Sequence, residues 1–191
     1  MIHFEQSVGL IEVICGCMGS GKSEELIRKI RRYEIAGKSI LCFKPIIDHV
    51  GGASISSRNE KYYDKNVHQV NNSQELLEIY NKTKIPIDLV AIDEAQFFDD
   101  QIVNAVCEIS KQTDVIIAGL EKDFSGNPFG SMPQLLAVSD EVQKLKAICV
   151  ACKRRYATYT YRKVSSEELI LVGKDEIYEA RCRQCWESIG E

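Results

Sequence analysis

Gly16-Cys17-Met18-Gly19-Ser20-Gly21-Lys22-Ser23 fits the pattern G-x-x-x-x-G-K-[ST] and lies between an apolar run, Leu10 to Cys15, and an amphipathic one, Glu24 to Ala36. An apolar strand before the glycines and a helix after them are what a phosphate loop needs. The glycines let backbone N–H groups wrap around phosphate oxygens, and the helix N-terminus adds positive potential at the same point. In that setting Lys22 reaches the β- and γ-phosphates and the Ser23 hydroxyl ligates Mg²⁺. The stretch therefore predicts a nucleoside triphosphate site in a protein of alternating strands and helices.

The chain outward from this loop keeps that rhythm to about Lys146. Leu26, Ile27, Ile30 and Ile35 supply one apolar face to the first helix, Gly37 ends it, and Ser39 to Lys44 reads as the next strand. Ser73 is placed to cap a helix that runs to Lys82, which Ile85-Pro86 breaks. Asp88 to Ile92 is a short strand, Gln101 to Gln112 a helix and Val115 to Leu120 another strand. Strands alternating with helices imply a parallel sheet covered on both faces. Asp48 to Asn66 has no clear period and reads as a mobile loop or an exposed hairpin.

Beyond Lys146 the pattern changes to short β-like pieces, Ala157 to Arg162, Leu169 to Val172 and Ile177 to Arg181. They hang between two cysteine pairs, Cys149-x-x-Cys152 and Cys182-x-x-Cys185. Each pair can grip one ion from a tight turn, and four thiolates make the closed tetrahedral set of structural zinc. Disulfides are the alternative, which a cytosolic setting argues against. The expected division is a nucleotide-binding α/β domain over 1–146 and a zinc ribbon with a long loop over 147–191.

Of the remaining cysteines, Cys15, Cys17, Cys42 and Cys107 read as small buried hydrophobes. Cys17 adjoins the phosphate site, where a helix N-terminus can raise thiol reactivity. The net charge of −4 makes nucleic acid an unexpected partner, and Arg28-Lys29-Ile30-Arg31-Arg32 reads as a solvated or interface face of a helix. No apolar run approaches a membrane span, and Met1-Ile2-His3-Phe4-Glu5 lacks the features of a signal peptide. A soluble, cytoplasmic protein is the expectation. His3, His49 and His68 have no partner at a metal-binding or catalytic spacing.

Asp93-Glu94-Ala95-Gln96-Phe97-Phe98 ends the strand Leu89-Val90-Ala91-Ile92. An acidic residue at the carboxyl end of such a strand is placed to hold Mg²⁺ opposite the serine hydroxyl, a role that falls to Asp93. Glu94 follows in the same crevice and can accept a proton from an attacking hydroxyl or position a water; a solvated loop acid is the plainer alternative.

With Phe124-Ser125-Gly126-Asn127-Pro128-Phe129-Gly130 and the cysteine pairs, these motifs in this order resemble the type II, zinc-containing thymidine kinases from Gly16 to Cys185. The resemblance implies a RecA-like core and transfer of the γ-phosphoryl group of ATP to the 5′-hydroxyl of thymidine, with deoxyuridine left open as a second acceptor. It makes Glu94 the general base and assigns the phosphate loop, Asp48, Asp93 and Gln96 to ATP and Mg²⁺. Phe124 would lie against the pyrimidine, Phe97 and Tyr178 would wall the pocket, and Met18 and Leu120 would approach the 5-methyl group. Leu169, Ile170, Leu171, Val172 and Gly173 would form a loop folding over the nucleoside, anchored by zinc on Cys149, Cys152, Cys182 and Cys185. A homotetramer and inhibition by dTTP are also implied. One departure stands out: Val50 occupies the position where the family commonly has an arginine, and Arg58 or Arg162 are the candidates to supply that charge.

Two other classes fit these residues less well. A nucleic-acid-dependent ATPase would need a basic or aromatic ribbon and a second motor domain, for which the chain is too short and too acidic. A nucleotide sensor would have no use for Glu94 beside Asp93.

Overall fold

The computed structural model describes residues 8–46, 54–56, 62–164 and 177–188. Asp48, Val50, Arg58 and the expected covering loop Leu169, Ile170, Leu171, Val172 and Gly173 lie outside the described residues.

The chain runs through β1 (Ile11–Cys15), α1 (Lys22–Ile35), β2 (Ile40–Pro45), the short pair β3 (Ile55–Ser56) and β4 (Tyr62–Tyr63), β5 (Val67–Val70), α2 (Ser73–Lys82) and β6 (Leu89–Ile92). It continues with α3 (Ile102–Ile109), β7 (Asp114–Gly119), α4 (Met132–Val138) and β8 (Glu141–Lys144). Six of these strands form one all-parallel sheet in the order β5-β2-β6-β7-β1-β8. β7 separates the strand that feeds the loop Gly16 to Ser23 from the strand that leads into Asp93.

Alternation along each strand explains why both faces need cover. Val13, Cys15, Leu41, Phe43, Val90, Ile92 and Ile117 point to one face, where Leu76 of α2, Ile102, Val106 and Ile109 of α3 and Leu135 of α4 bury them. Ile14, Cys42, Leu89, Ala91, Ile116 and Ala118 point to the other and meet Leu26, Ile27 and Ile30 of α1. β6 is buried at all four positions, which is why Leu89-Val90-Ala91-Ile92 reads as an unbroken apolar run. Each of the three α1 side chains contributes about 1.5–3 kcal/mol by leaving water.

Several boundaries differ from the sequence reading. Asn72, not Ser73, caps α2: its Oδ1 accepts the Glu75 N–H at 2.9 Å, while the Ser73 hydroxyl donates to Asp99. α3 stops at Ile109, three residues before the expected Gln112. β5, α4 and β8 were not foreseen. β8 is an exposed edge strand, Glu-Val-Gln-Lys, without the apolar run that marks its central neighbours. Within Asp48 to Asn66, the pairing Ile55↔Tyr63 and Ser56↔Tyr62 is antiparallel, as in a hairpin, but it is not exposed: Ile55 and Tyr63 are buried in one apolar cluster with Leu26, Ile27 and Ile30 of α1.

The C-terminal part contains β9 (Ala147–Ile148), β10 (Tyr156–Ala157), β11 (Tyr159–Arg162), β12 (Tyr178–Arg181) and α5 (Arg183–Glu187). The expected single strand Ala157 to Arg162 is split, because the chain leaves one two-stranded ladder, β9 with β10, for another, β11 with β12. Thr158 marks the crossing, its N–H bonded to Arg181 O at 3.2 Å.

Candidate active site

Gly21 caps α1 without a side chain, which leaves the first N–H groups of that helix open toward the loop. Lys22 is buried, and its Nζ folds back to donate to Cys17 O at 3.2 Å. Ser20 Oγ is buried and has no hydrogen-bond partner among the described residues. An orphaned hydroxyl is costly unless something fills its bonding capacity, and a phosphate oxygen suits this one. Burial pushes the Cys17 thiol above its usual range, which opposes the reactivity that a helix N-terminus can confer. Cys15 and Cys42 are buried within the sheet, as expected of small hydrophobes, whereas Cys107 of α3 is only half-buried.

Across the loop, β6 delivers Asp93, whose backbone N–H continues the ladder to Phe43 O at 2.9 Å. Asp93 Oδ1 accepts the Ser23 hydroxyl at 3.3 Å and the Glu94 N–H at 3.0 Å. Burial, reinforced by the charge of Glu94, pushes the Asp93 carboxyl up to about 7. A carboxylate held in so poor a medium for its charge is a ready partner for a cation. The serine hydroxyl and the aspartate thus face one another as a Mg²⁺ site needs.

Glu94 adopts a left-handed backbone, φ 52° and ψ 42°, which costs a non-glycine residue about 1–2 kcal/mol. The strained turn is followed by a one-turn 3-10 helix, Ala95–Phe97, that brings Gln96 under the carboxylate. Gln96 Nε2 donates to Glu94 Oε2 at 2.5 Å, and Gln96 Oε1 accepts the Leu120 N–H at 2.9 Å. Gln96 is itself buried and hemmed in. A Cβ on Gly119 would lie 3.0 Å from its Oε1, and one on Gly130 would lie 2.4 Å from its backbone oxygen. The Pro-Phe-Gly element therefore bears directly on the Asp-Glu-x-Gln-Phe element.

Of the nucleoside-side residues, Phe97 meets Phe129 edge to face with ring centroids 5.6 Å apart, and Phe98 is core. Leu120 is tied to Gln96 as above. Phe124 carries the guanidinium of Arg162 over its ring at 3.6 Å, and its backbone oxygen accepts the Trp186 indole N–H at 3.2 Å. Tyr178 is buried at the start of β12, opposite Arg162. Met18 donates its N–H to Thr160 Oγ1 at 3.0 Å. Neither Thr160 nor Trp186 was singled out from the sequence: a lone threonine in a short strand and a lone tryptophan near the end carry no motif. Glu121 was also missed; it is buried just past β7, with Oε1 3.2 Å from Lys144 Nζ.

Cys149, Cys152, Cys182 and Cys185 converge so that their Sγ atoms all lie within 4.8 Å of one another. Sulfurs ~2.3 Å from a tetrahedral zinc fit within such a spread. Lys153, just after the first pair, turns the chain at φ 53°, and its N–H donates to Cys149 O at 2.8 Å. Desolvation opposes ionisation of Cys149, yet hydrogen bonds from the backbone of Cys152 and Cys182 hold its thiol at about 6. Hydrogen bonding with Cys182 pushes Cys185 up to about 12. Four thiols held this close can lose their protons together to one metal ion.

The sequence model of the thymidine kinase family matches residues 9–186. Among curated proteins, the thymidine kinase of Mycoplasma genitalium is 44 % identical over 185 residues, covering 94 % of this chain and 84 % of that protein. The thymidine kinase of Bacteroides thetaiotaomicron is 42 % identical over 182 residues, covering 93 % and 87 %, and that of Porphyromonas gingivalis is 41 % identical over 182 residues. With the phosphate loop, the acidic pair and the cysteine cluster all inside the matched span, the chain belongs to the thymidine kinase family.

Proposed function

We propose that this protein phosphorylates thymidine, using ATP as donor and releasing dTMP and ADP, in salvage of pyrimidine deoxynucleosides for DNA synthesis. The observation that carries the reading is the meeting of Ser23 with Asp93 beside a Glu94 carboxylate fixed by Gln96. Triphosphate binding falls to the loop Gly16 to Ser23, with Lys22 on the β- and γ-phosphates. Mg²⁺, held through Ser23 and Asp93, would neutralise charge on the phosphate oxygens. The 5′-oxygen of thymidine attacks the γ-phosphorus, the bond from that phosphorus to the β–γ bridging oxygen breaks, and the hydroxyl proton passes to Glu94. A base held by Gln96 spends little of its effectiveness on reorientation.

Phe97, Leu120, Phe124 and Tyr178 are the proposed walls of the nucleoside pocket, closed by residues 169–173. Zinc on the four cysteines anchors the ends of that closing segment. Arg162, already over Phe124, is the described candidate for the charge that Val50 does not bring. The division at residue 146, the homotetramer, inhibition by dTTP and a cytoplasmic location belong to the same reading, on the family resemblance. Among the described residues no helix is long and apolar enough to cross a membrane.

The deciding experiment is turnover with thymidine and Mg·ATP, following both products. Equal amounts of dTMP and ADP are expected. ADP formed without a phosphorylated nucleoside would overturn the reading in favour of an ATPase, and nucleotide binding without turnover would favour a sensor.

A further inference from the structure

The phosphate loop is packed on the cysteine ribbon as well as on its own helix. The Cys17 side chain lies in one apolar cluster with Ala147, Cys149, Ala157, Ala180 and Cys182, and its Sγ donates to Ala157 O at 3.4 Å. One residue on, Met18 gives its N–H to the buried Thr160 hydroxyl at 3.0 Å. On the loop's inner side, Cys17 O receives Lys22 Nζ. Cys17 therefore joins the ribbon backbone to the lysine proposed to hold the phosphates.

A loop with glycines at 16, 19 and 21 is conformationally expensive to order, so its shape has to be imposed by neighbours. The neighbour on this side is weak by itself. Among the described residues its apolar cluster is made of alanines and cysteines, a small apolar surface that a metal on the four thiols would reinforce.

We propose that the ribbon positions the phosphate loop for ATP through Thr160 and Cys17, so that metal occupancy at the four cysteines sets nucleotide affinity in addition to anchoring the nucleoside cover. Thr160 is a positioning residue here, acting through the Met18 N–H. The proposal rests on the reading that this loop binds ATP.

The test measures Mg·ADP affinity by calorimetry, without thymidine, together with zinc content per chain. The proteins compared are the parent, Thr160→Val, Thr160→Ser and the parent stripped of zinc by a chelator. Thr160→Val should keep its zinc yet bind Mg·ADP about three- to tenfold more weakly, the usual worth of one hydrogen bond. Thr160→Ser, which keeps the hydroxyl, should stay within about twofold of the parent, and the zinc-stripped protein should lose at least as much as Thr160→Val. Parent-like affinity in zinc-replete Thr160→Val or in the stripped protein overturns the proposal. So does equal damage in Thr160→Ser, which points to packing, or loss of zinc from Thr160→Val, which points to support of the metal site alone. A parent that binds no Mg·ADP is a different result: it overturns the nucleotide reading itself.

Discussion

The Gln96 side chain ties the carboxylate of Glu94 to the backbone at the end of β7, donating to Glu94 Oε2 at 2.5 Å and accepting the Leu120 N–H at 2.9 Å. A hydrogen bond to a carboxyl group fixes its direction, and here it selects one orientation of a side chain on a strained backbone. Gln96→Leu removes that restraint and leaves the Leu120 N–H unpaired. We expect kcat to fall by about tenfold, with the thymidine KM changed less than kcat, since positioning of a catalytic group acts mainly in the transition state. Steady-state kinetics on both substrates checks this, and a change confined to KM would remove Gln96 from the positioning role.

Glu94→Gln keeps the acceptor oxygen that Gln96 Nε2 needs and abolishes the proton acceptor. The expected outcome is binding of Mg·ATP and thymidine near the parent values, with turnover lower by about 10² to 10⁴. Turnover close to that of the parent would show that the hydroxyl proton leaves by another route.

Asp93 carries the opposite balance of stability and function. Its carboxyl is raised to about 7 by burial and by Glu94, against about 4 in an unfolded chain. The folded state therefore binds more protons than the unfolded state across that window, and ionisation works against folding. Stability of the ligand-free protein should decline as pH rises from about 4 toward 7, the interval between the unfolded and folded values. Asp93→Asn should flatten that decline and raise Tm near neutral pH while abolishing turnover. Thermal unfolding of both proteins across pH settles the sign.

The legible part of this molecule was the part in which chemistry forces residue types. The loop that meets Asp93, the acidic pair after a buried strand and the converging cysteines were legible as places, because the chemistry proposed for them admits few residue types at fixed spacings. The buried strands were legible for the same reason, since a sheet covered on both faces makes continuous apolar runs such as Leu89 to Ile92. β8 was not, because an exposed edge strand has no apolar face to announce it. The packing of the loop on the ribbon was also hidden. The Met18 N–H on Thr160 is a contact across 142 positions, between a backbone group and a residue type that forms such bonds anywhere.

The cysteine cluster predicts one zinc per chain. Replacing Cys185 with serine leaves three thiolates and a poorer ligand, and should lower zinc content along with stability, because binding energy at such a site is folding energy. Metal analysis with thiol counting checks it. A mass showing two disulfides in the freshly purified protein would contradict the metal reading.

Gly130 and Gly37 make a matched pair for testing how the Pro-Phe-Gly element acts on the base. Both hold a left-handed backbone, φ 50° and φ 71°. Among the described residues a Cβ on Gly37 would meet nothing within 4 Å, whereas one on Gly130 would lie 2.4 Å from Gln96 O. Gly37→Ala therefore costs only the backbone conformation, about 1 kcal/mol, and should leave kcat unchanged. Gly130→Ala adds a collision with main chain that no rotamer can relieve, so its cost should exceed that of Gly37→Ala by about 1–3 kcal/mol. The displaced atom belongs to Gln96, so the collision should also shift the amide off Glu94 and lower kcat. Denaturant unfolding and kinetics on the two variants separate the effects. A Gly130→Ala protein that is destabilised but turns over like Gly37→Ala would show that the element supports the fold without reaching the carboxylate.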